Sequence, residues 1–422
     1  MKTQLLLVIF LMISFLSFSQ NDEIKAEMKN VPFQFTLLTP PISTNGIYFY
    51  KTSNDVSLNT FIGVSAATNY VELGGFLNVD RFYANGVQGS GFANINGFDP
   101  KAKDLTSVGV QGAGFANINA NNYKGIQLSG FLNTNRNFEG LQASGFANIN
   151  QSVKNSYELS GFANISPKEE SRIQASGFFN LAENLKGIQG SGFANVAKDV
   201  KGIQGTGFIN VAKDVKGVQA SGFANIAKNV KGIQASGFIN ICDSIDGIPI
   251  SFISIVKKGG YRNFEIATTD WSPIQLTYRM GIEKFYNVYS VSKLRGNWNR
   301  YAFGFGFGHN RRIFNDKTSL NVEAVHHQEF VWNPQRFALF TTERDNNLTQ
   351  LKIGIRRNII NNIWLNIGPT LNCSYTYNYS NNSEPKTEDF KPYWDVKTKT
   401  YADYPRWSSK FWVGFHAGIN LY

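Results

Sequence analysis

Gly187-Ile-Gln-Gly-Ser-Gly-Phe-Ala-Asn-Val-Ala-Lys-Asp-Val-Lys201 is one unit of a repeat, and its reading decides the fold of the middle of the chain. The tetrapeptide Gly-Phe-x-Asn occurs eleven times, with its glycine at Gly75, Gly91, Gly114, Gly130, Gly145, Gly161, Gly177, Gly192, Gly207, Gly222 and Gly237. Units are spaced by 15 or 16 residues except for one 23-residue gap, a period that marks a repeat architecture. Three residues before each of these glycines stands Gln, or Glu at Glu72 and Glu158. The long gap is an insertion over residues 97–107 that carries Pro, Lys and Asp and reads as a loop.

Within the unit the alternation has the strand period of two. Ile188, Gly190, Gly192, Ala194 and Val196 fall on one face, and Gln189, Ser191, Phe193 and Asn195 on the other. The Ala-Lys-Asp-Val-Lys-Gly segment that follows is short and polar, so it turns. A parallel β-solenoid of about eleven coils would stack Phe, Gln and Asn in columns at ~4.8 Å, where amides pair along the column and rings stack. One large antiparallel barrel or meander, with each unit a strand, is the alternative. The solenoid fits better, because the turns are equal in length and neither face is bulky and apolar enough for lipid.

From about residue 260 the repeat stops, and all seven Trp lie beyond that point. The new segments alternate apolar with polar or glycine: Ile274, Leu276 and Tyr278 against Gln275, Thr277 and Arg279; Phe303, Phe305 and Phe307 against Gly304, Gly306 and Gly308. Similar runs follow around Val322, Ile353 and Val413, giving seven candidate strands. The Gly-rich polar face suits a crowded lumen, and Trp and Tyr near strand ends suit an interfacial girdle. A small, about eight-stranded antiparallel β-barrel of outer-membrane type is predicted. Residues 248–256 and 33–38 are candidates for the remaining strands, the latter closing against Tyr422. In step-of-two register Tyr422 is followed back by Asn420 and Gly418, a departure from the apolar pattern usual at such an end.

At the amino terminus Lys2, the apolar run over residues 5–18 and the small residues Ser17 and Ser19 read as a signal peptide. The expected organisation is therefore a signal peptide over residues 1–19, amino-terminal strands over 20–69 available to the barrel, repeats over 70–247 and a barrel over 248–422. Cys242 and Cys373 lie far apart in sequence, and two thiols make no metal site by themselves.

The Gly-Phe-x-Asn units, set between an export signal and a barrel-like end, resemble the bacterial surface-repeat proteins. The resemblance covers residues 70–245 and, loosely, the carboxy-terminal end. It implies an envelope location and a repeat domain, and carries no catalytic or binding residues with it.

The candidate chemistry is sparse. His326, His327 and Glu329 near a strand end could act as a general base on lipid, but neighbouring residues of a strand face opposite ways, so at most one His looks inward. Arg279, Glu323, Lys352 and Arg356 share the lumenal face and read as paired charges filling it. The Gln and Asn columns read as internal ladders, with glycan binding along them the rival. Residues 377–410 read as an exposed loop, with Tyr393, Trp394, Tyr401, Tyr404 and Trp407 as candidate partner contacts. The net charge of +11 is spread out and comes without a nucleic-acid motif, so it points to anionic lipid or lipopolysaccharide instead. No Walker loop, zinc spacing or Gly-x-Ser-x-Gly elbow occurs, and no cofactor, metal or catalytic residue is expected. The reading is a non-enzymatic outer-membrane or cell-surface protein of a Gram-negative-type bacterium, structural, adhesive or interacting in role. Its partners would be outer-membrane lipid or lipopolysaccharide, or an extracellular glycan or protein. A lipid-modifying barrel enzyme and a porin-like channel are the alternatives.

Overall fold

The computed structural model describes residues 28–39, 42–295, 300–314, 317–333, 338–340, 344–378, 390, 398–401 and 404–421. Residues 1–19, expected as a signal peptide, lie outside this set. The chain divides into two compact units, residues 1–151 and 152–422. Coils of a parallel β-solenoid, about 13 turns in all, occupy the first unit and the start of the second, which also contains a closed eight-stranded antiparallel barrel. The large single barrel is excluded, because equivalent residues of successive units pair parallel and in register.

In the first unit the strand Lys29–Leu38 runs parallel to Thr52–Gly74, with Phe33 opposite Val56 and Phe35 opposite Leu58. Residues 33–38 are thus a solenoid strand and contribute nothing to barrel closure. Their inward side chains explain it: Gln34 accepts from Asn54 Nδ2 at 2.8 Å, as the ladder amides do further on. The insertion at residues 97–107 contains a short 3-10 turn, Pro100–Ala102, begun by Asp99, whose carboxylate accepts from the Lys101 amide at 2.9 Å.

In the second unit the strands Ala163–Ser176, Phe179–Ser191, Ala194–Thr206, Asp214–Ser221, Ala224–Ser236 and Ile239–Ile250 stack with Asn on Asn and Gln on Gln. The interior is largely amide. Asn195 Nδ2 donates to Asn210 Oδ1 at 3.1 Å and to the Gly205 carbonyl at 2.7 Å, and each coil repeats the pattern. Gln204 donates to Gln189, and Gln219 to Gln204, both at 2.9 Å. The Gln column ends where Pro249 stands opposite Gln234, whose Oε1 is buried without a partner. Beside the ladder runs a thin apolar core of Ala197, Val200, Ala212, Val215 and their equivalents.

One face assignment needs correction. Phe193 does not share a side with Gln189 and Asn195: the two amides are fully buried and Phe193 points outward. Gly192 and Phe193 form a bend with both residues outward, after which Ala194 and Asn195 are both buried, so the strict alternation is interrupted at each coil. Glycine is required there because a side chain at Gly192 would run into the Gly177 carbonyl oxygen of the coil below. The extruded rings stack in a column at 4.8–5.2 Å, Phe178 on Phe193 on Phe208 on Phe223 on Phe238.

Residues 248–256 also belong to the solenoid, finishing its last coil with Ile253–Val256. The barrel strands all follow: β1 Tyr261–Thr269, β2 Ile274–Ile282, β3 Phe285–Lys293, β4 Arg300–Arg312, β5 Thr318–Asn333, β6 Arg344–Ile360, β7 Ile363–Asn378 and β8 Tyr404–Leu421. Each pairs antiparallel with the next, and β1 closes on β8 with Phe264 opposite Leu421. Most apolar strand residues face outward and most polar ones inward, as in a membrane barrel, while Val288, Val325 and Leu348 are buried inside. At one end β2–β3 and β6–β7 are joined by two residues each and β4–β5 by five. At the other end β7 finishes and β8 begins, with residues 379–403 between them in sequence. The solenoid enters β1 at the short-turn end.

Candidate functional site

The barrel lumen holds the densest cluster of charge. Alternation sends Arg279 of β2, Glu323 of β5 and Lys352 and Arg356 of β6 inward, and all four are fully buried or nearly so. Glu323 accepts from Arg279 Nε at 2.6 Å, Arg356 Nη2 at 2.7 Å and the Tyr286 hydroxyl at 2.8 Å. Arg279 also pairs with Glu265 of β1, to which Asn366 donates at 2.8 Å. Lys352 Nζ donates to Gln275 Oε1 at 2.5 Å. Buried charges demand such partners, and here two carboxylates neutralise two guanidiniums across four strands. The four residues expected to fill the lumen are therefore together. Glu265 and Tyr286 were missed in the sequence, although Glu265 carries the same parity signal in β1.

Toward the long-connection end the lumen is packed by Trp271, Leu348, Phe390 and Trp412, with Trp412 Nε1 donating to Asp270 Oδ2 at 2.5 Å. Trp271 and Trp412 thus point inward instead of forming a girdle, because this end of the small barrel has room for large rings and offers Asp270 as an acceptor. The adjacent histidines face opposite ways, as strand geometry requires. His326 is exposed and bonded to Thr349 Oγ1 at 3.1 Å; His327 is buried with its ring 5.0 Å from that of Trp271. Glu329 is bound by Arg300 and by Asn346 Nδ2, the latter at 2.7 Å. The three do not form a base facing lipid.

Of the candidate loop, Tyr393 and Trp394 lie outside the described residues. Tyr401 ends the strand Thr398–Tyr401, which pairs with β8, and Tyr404 and Trp407 lie in β8 itself. The segment is thus partly strand. Cys242 and Cys373 are free thiols, and burial pushes the Cys242 thiol up to about 11. Among the described residues no three His, Cys, Asp or Glu side chains converge as metal ligands would. No helix among them is long and apolar enough to cross a membrane.

In the first unit Glu72 replaces the ladder glutamine. It accepts from Asn59 at 3.0 Å and Gln88 at 2.7 Å, and Gln88 also donates to the neighbouring Asp80 at 3.0 Å. Burial holds both carboxyls above their ordinary range, and the charge of Glu72 raises Asp80 further. The ladder amides are buried throughout, so they present no glycan-binding face.

Two apolar columns face outward from the coils of the second unit: the Phe column and, across a floor of Gly, Ala, Ser and Thr, a parallel column of Ile and Val. Its last ring meets the barrel. Phe252 lies 5.2 Å from Phe305 and edge-on to Tyr289 at 5.7 Å, on the outer wall of β3 and β4. Asn287 Nδ2 donates to the Ser251 and Phe252 carbonyls at 2.5 and 3.2 Å. Val256, Ile282 and Phe285 pack below.

No protein-family model matches the chain, and no curated protein matches it significantly. Among solved structures, Neisserial surface protein A is similar at 11% identity and a TM-score of 0.22, over 39% of this chain and 97% of that one. So low a score carries no weight for fold or function.

Proposed function

We propose that this chain is a non-enzymatic outer-membrane protein whose barrel anchors a repeat scaffold with a structural or interaction role. The observation that carries the reading is the barrel itself: a largely apolar outer wall around a lumen filled by buried side chains, whose guanidiniums and carboxylates pair with one another. A filled lumen supports an anchor over a porin-like channel. The inward burial of His327 and the separation of His326 from it disfavour a lipid-modifying enzyme.

Membrane barrels of this kind keep short turns in the periplasm and long loops outside. The solenoid joins at the short-turn end, which supports a periplasmic position for the repeats. Contacts with an extracellular glycan or protein, or with lipopolysaccharide, would then fall to the long connections, residues 379–403 foremost. The Gly-Phe-x-Asn repeats make membership of the bacterial surface-repeat proteins part of this proposal.

Fractionation should place the full chain in the outer membrane, and liposomes containing it should stay impermeable to small sugars. Sugar uptake at porin rates would replace the anchor by a channel. Changed lipid A composition on substituting His326 and His327 would revive the enzyme.

A further inference from the structure

The apolar outer face of the solenoid is too large to be left in water. In the second unit the seven phenylalanines of the column, Phe162 to Phe252, are each 39–42% exposed, and Ile188, Ile203, Ile233 and Ile248 are 39–49% exposed. At ~200 Å² per side chain these form a stripe of roughly 900 Å², whereas the largest patch on a monomer is about 300–600 Å².

Three features identify what covers it. The stripe is continuous with the outer wall of the barrel, since Phe252 packs at a tilt against Phe305, itself flanked by outward Phe303 and Phe307. It is bordered by lysines on both edges: Lys201, Lys216 and Lys231 stand two residues before the Ile/Val column, and Lys198, Lys213 and Lys228 lie beyond the Phe column. Between residues 186 and 231 there are seven lysines and two aspartates. An apolar band edged by long cationic side chains is the pattern of a segment lying in a membrane interface, where the stems follow the acyl region and the ammonium groups reach anionic headgroups. The junction also lies near the short-turn end of the barrel wall, with Val256 against Ile282 and Phe285.

We infer that the solenoid coils of the second unit lie in the leaflet on the short-turn side of the membrane, with the Phe and Ile columns among the acyl chains of anionic phospholipid and the lysine rows at the headgroups. The inference rests on the barrel spanning a membrane. The barrel then fixes the depth of the last coil, and the stacked columns carry that depth along the coils that precede it.

The test is nitroxide accessibility in the full chain, reconstituted in vesicles of phosphatidylcholine and phosphatidylglycerol, with Cys242 and Cys373 replaced by serine. Labels go on Phe208→Cys and Ile233→Cys in the stripe, on Asn229→Cys at the opposite turn, and on Phe303→Cys as the barrel's lipid reference. The ratio of oxygen to nickel-chelate collisions should be several-fold higher at 208 and 233 than at 229, and should match 303. A lipid-like 303 with solvent-like 208 and 233 would overturn the inference and leave the barrel reading intact. Shielding of 208 and 233 from both collision partners would overturn it in favour of a second copy or another protein. A solvent-like 303 would sink the barrel reading itself. In vesicles of phosphatidylcholine alone the ratio at 208 and 233 should fall, and an unchanged ratio would remove the lysine rows from the account.

Discussion

Gly205 and Gly207 stand two residues apart in one coil, yet alanine should act in opposite directions at the two. A methyl on Gly205 meets nothing within 4 Å, and its column already contains Ala220 and Ala235. Gly205→Ala should stabilise by about 0.4–1 kcal/mol, by narrowing the unfolded ensemble. A methyl on Gly207 would press on the Gly192 carbonyl oxygen, closer than any real side chain sits. The coil cannot simply lift, because Gly207 N donates to Ser191 O at 3.3 Å and Gly222 N to Thr206 O at 3.1 Å. Relieving the clash opens both bonds, at about 1–3 kcal/mol each, or roughly 2–6 kcal/mol in all. The two variants should therefore differ by at least about 2.5 kcal/mol, nearly a hundredfold in local opening. Hydrogen exchange of the full chain in detergent, read on peptides covering residues 203–221, measures this directly. Equal protection in both variants would refute the reasoning, since in-register coils leave no room for a methyl at 207.

Three other outcomes are expected. Asn210→Ala removes an amide that donates to Ala220 O at 2.6 Å and Asn225 Oδ1 at 2.9 Å and accepts from Asn195 at 3.1 Å; it should cost about 3–5 kcal/mol in urea titrations followed by proteolysis within the repeats. In the barrel, Glu323→Ala leaves the buried Arg356 without a carboxylate and Arg279 with Glu265 alone, and should cost about 3–5 kcal/mol, seen as a lower temperature at which the folded band is lost on a semi-native gel. Glu72 and Asp80 have raised folded pKa values, so their contribution is fully present below about pH 4 and is lost as pH rises through the folded values. Exchange in residues 52–74 should thus quicken from acid to neutral pH beyond the intrinsic chemical rate, and Glu72→Gln, which restores the ladder amide, should flatten that change.

The repeat and the barrel could be read from the sequence because each rests on a period. Fifteen-residue identity made in-register stacking the economical arrangement, and two-residue alternation sent Arg279, Glu323, Lys352 and Arg356 inward together. What period could not supply was parity across a bend. Counting straight through Gly192 and Phe193 places the ring with the amides, and only the crowding of the Gly177 carbonyl shows why the chain turns there. The first coils were hidden for another reason: Gln34, Asn54 and Asn59 do the ladder's work without the Gly-Phe-x-Asn signature. Trp271 and Trp412 misled because an aromatic near a strand end serves a girdle or a lumen equally well, and the choice depends on acceptors such as Asp270 from another strand. The docking of Phe252 on Phe305 is a long-range contact with no local signal.

The amide column has one more property. Asn180, Asn195, Asn210, Asn225 and Asn240 each bond to their own image one coil away, so the stack behaves as a one-dimensional crystal whose cell is 15 residues. Excising or duplicating one whole cell would rejoin like with like and leave the end of the glutamine column, at Gln234 Oε1, as it is. Length is therefore a free variable of this architecture, adjustable in steps of ~4.8 Å without redesigning either end.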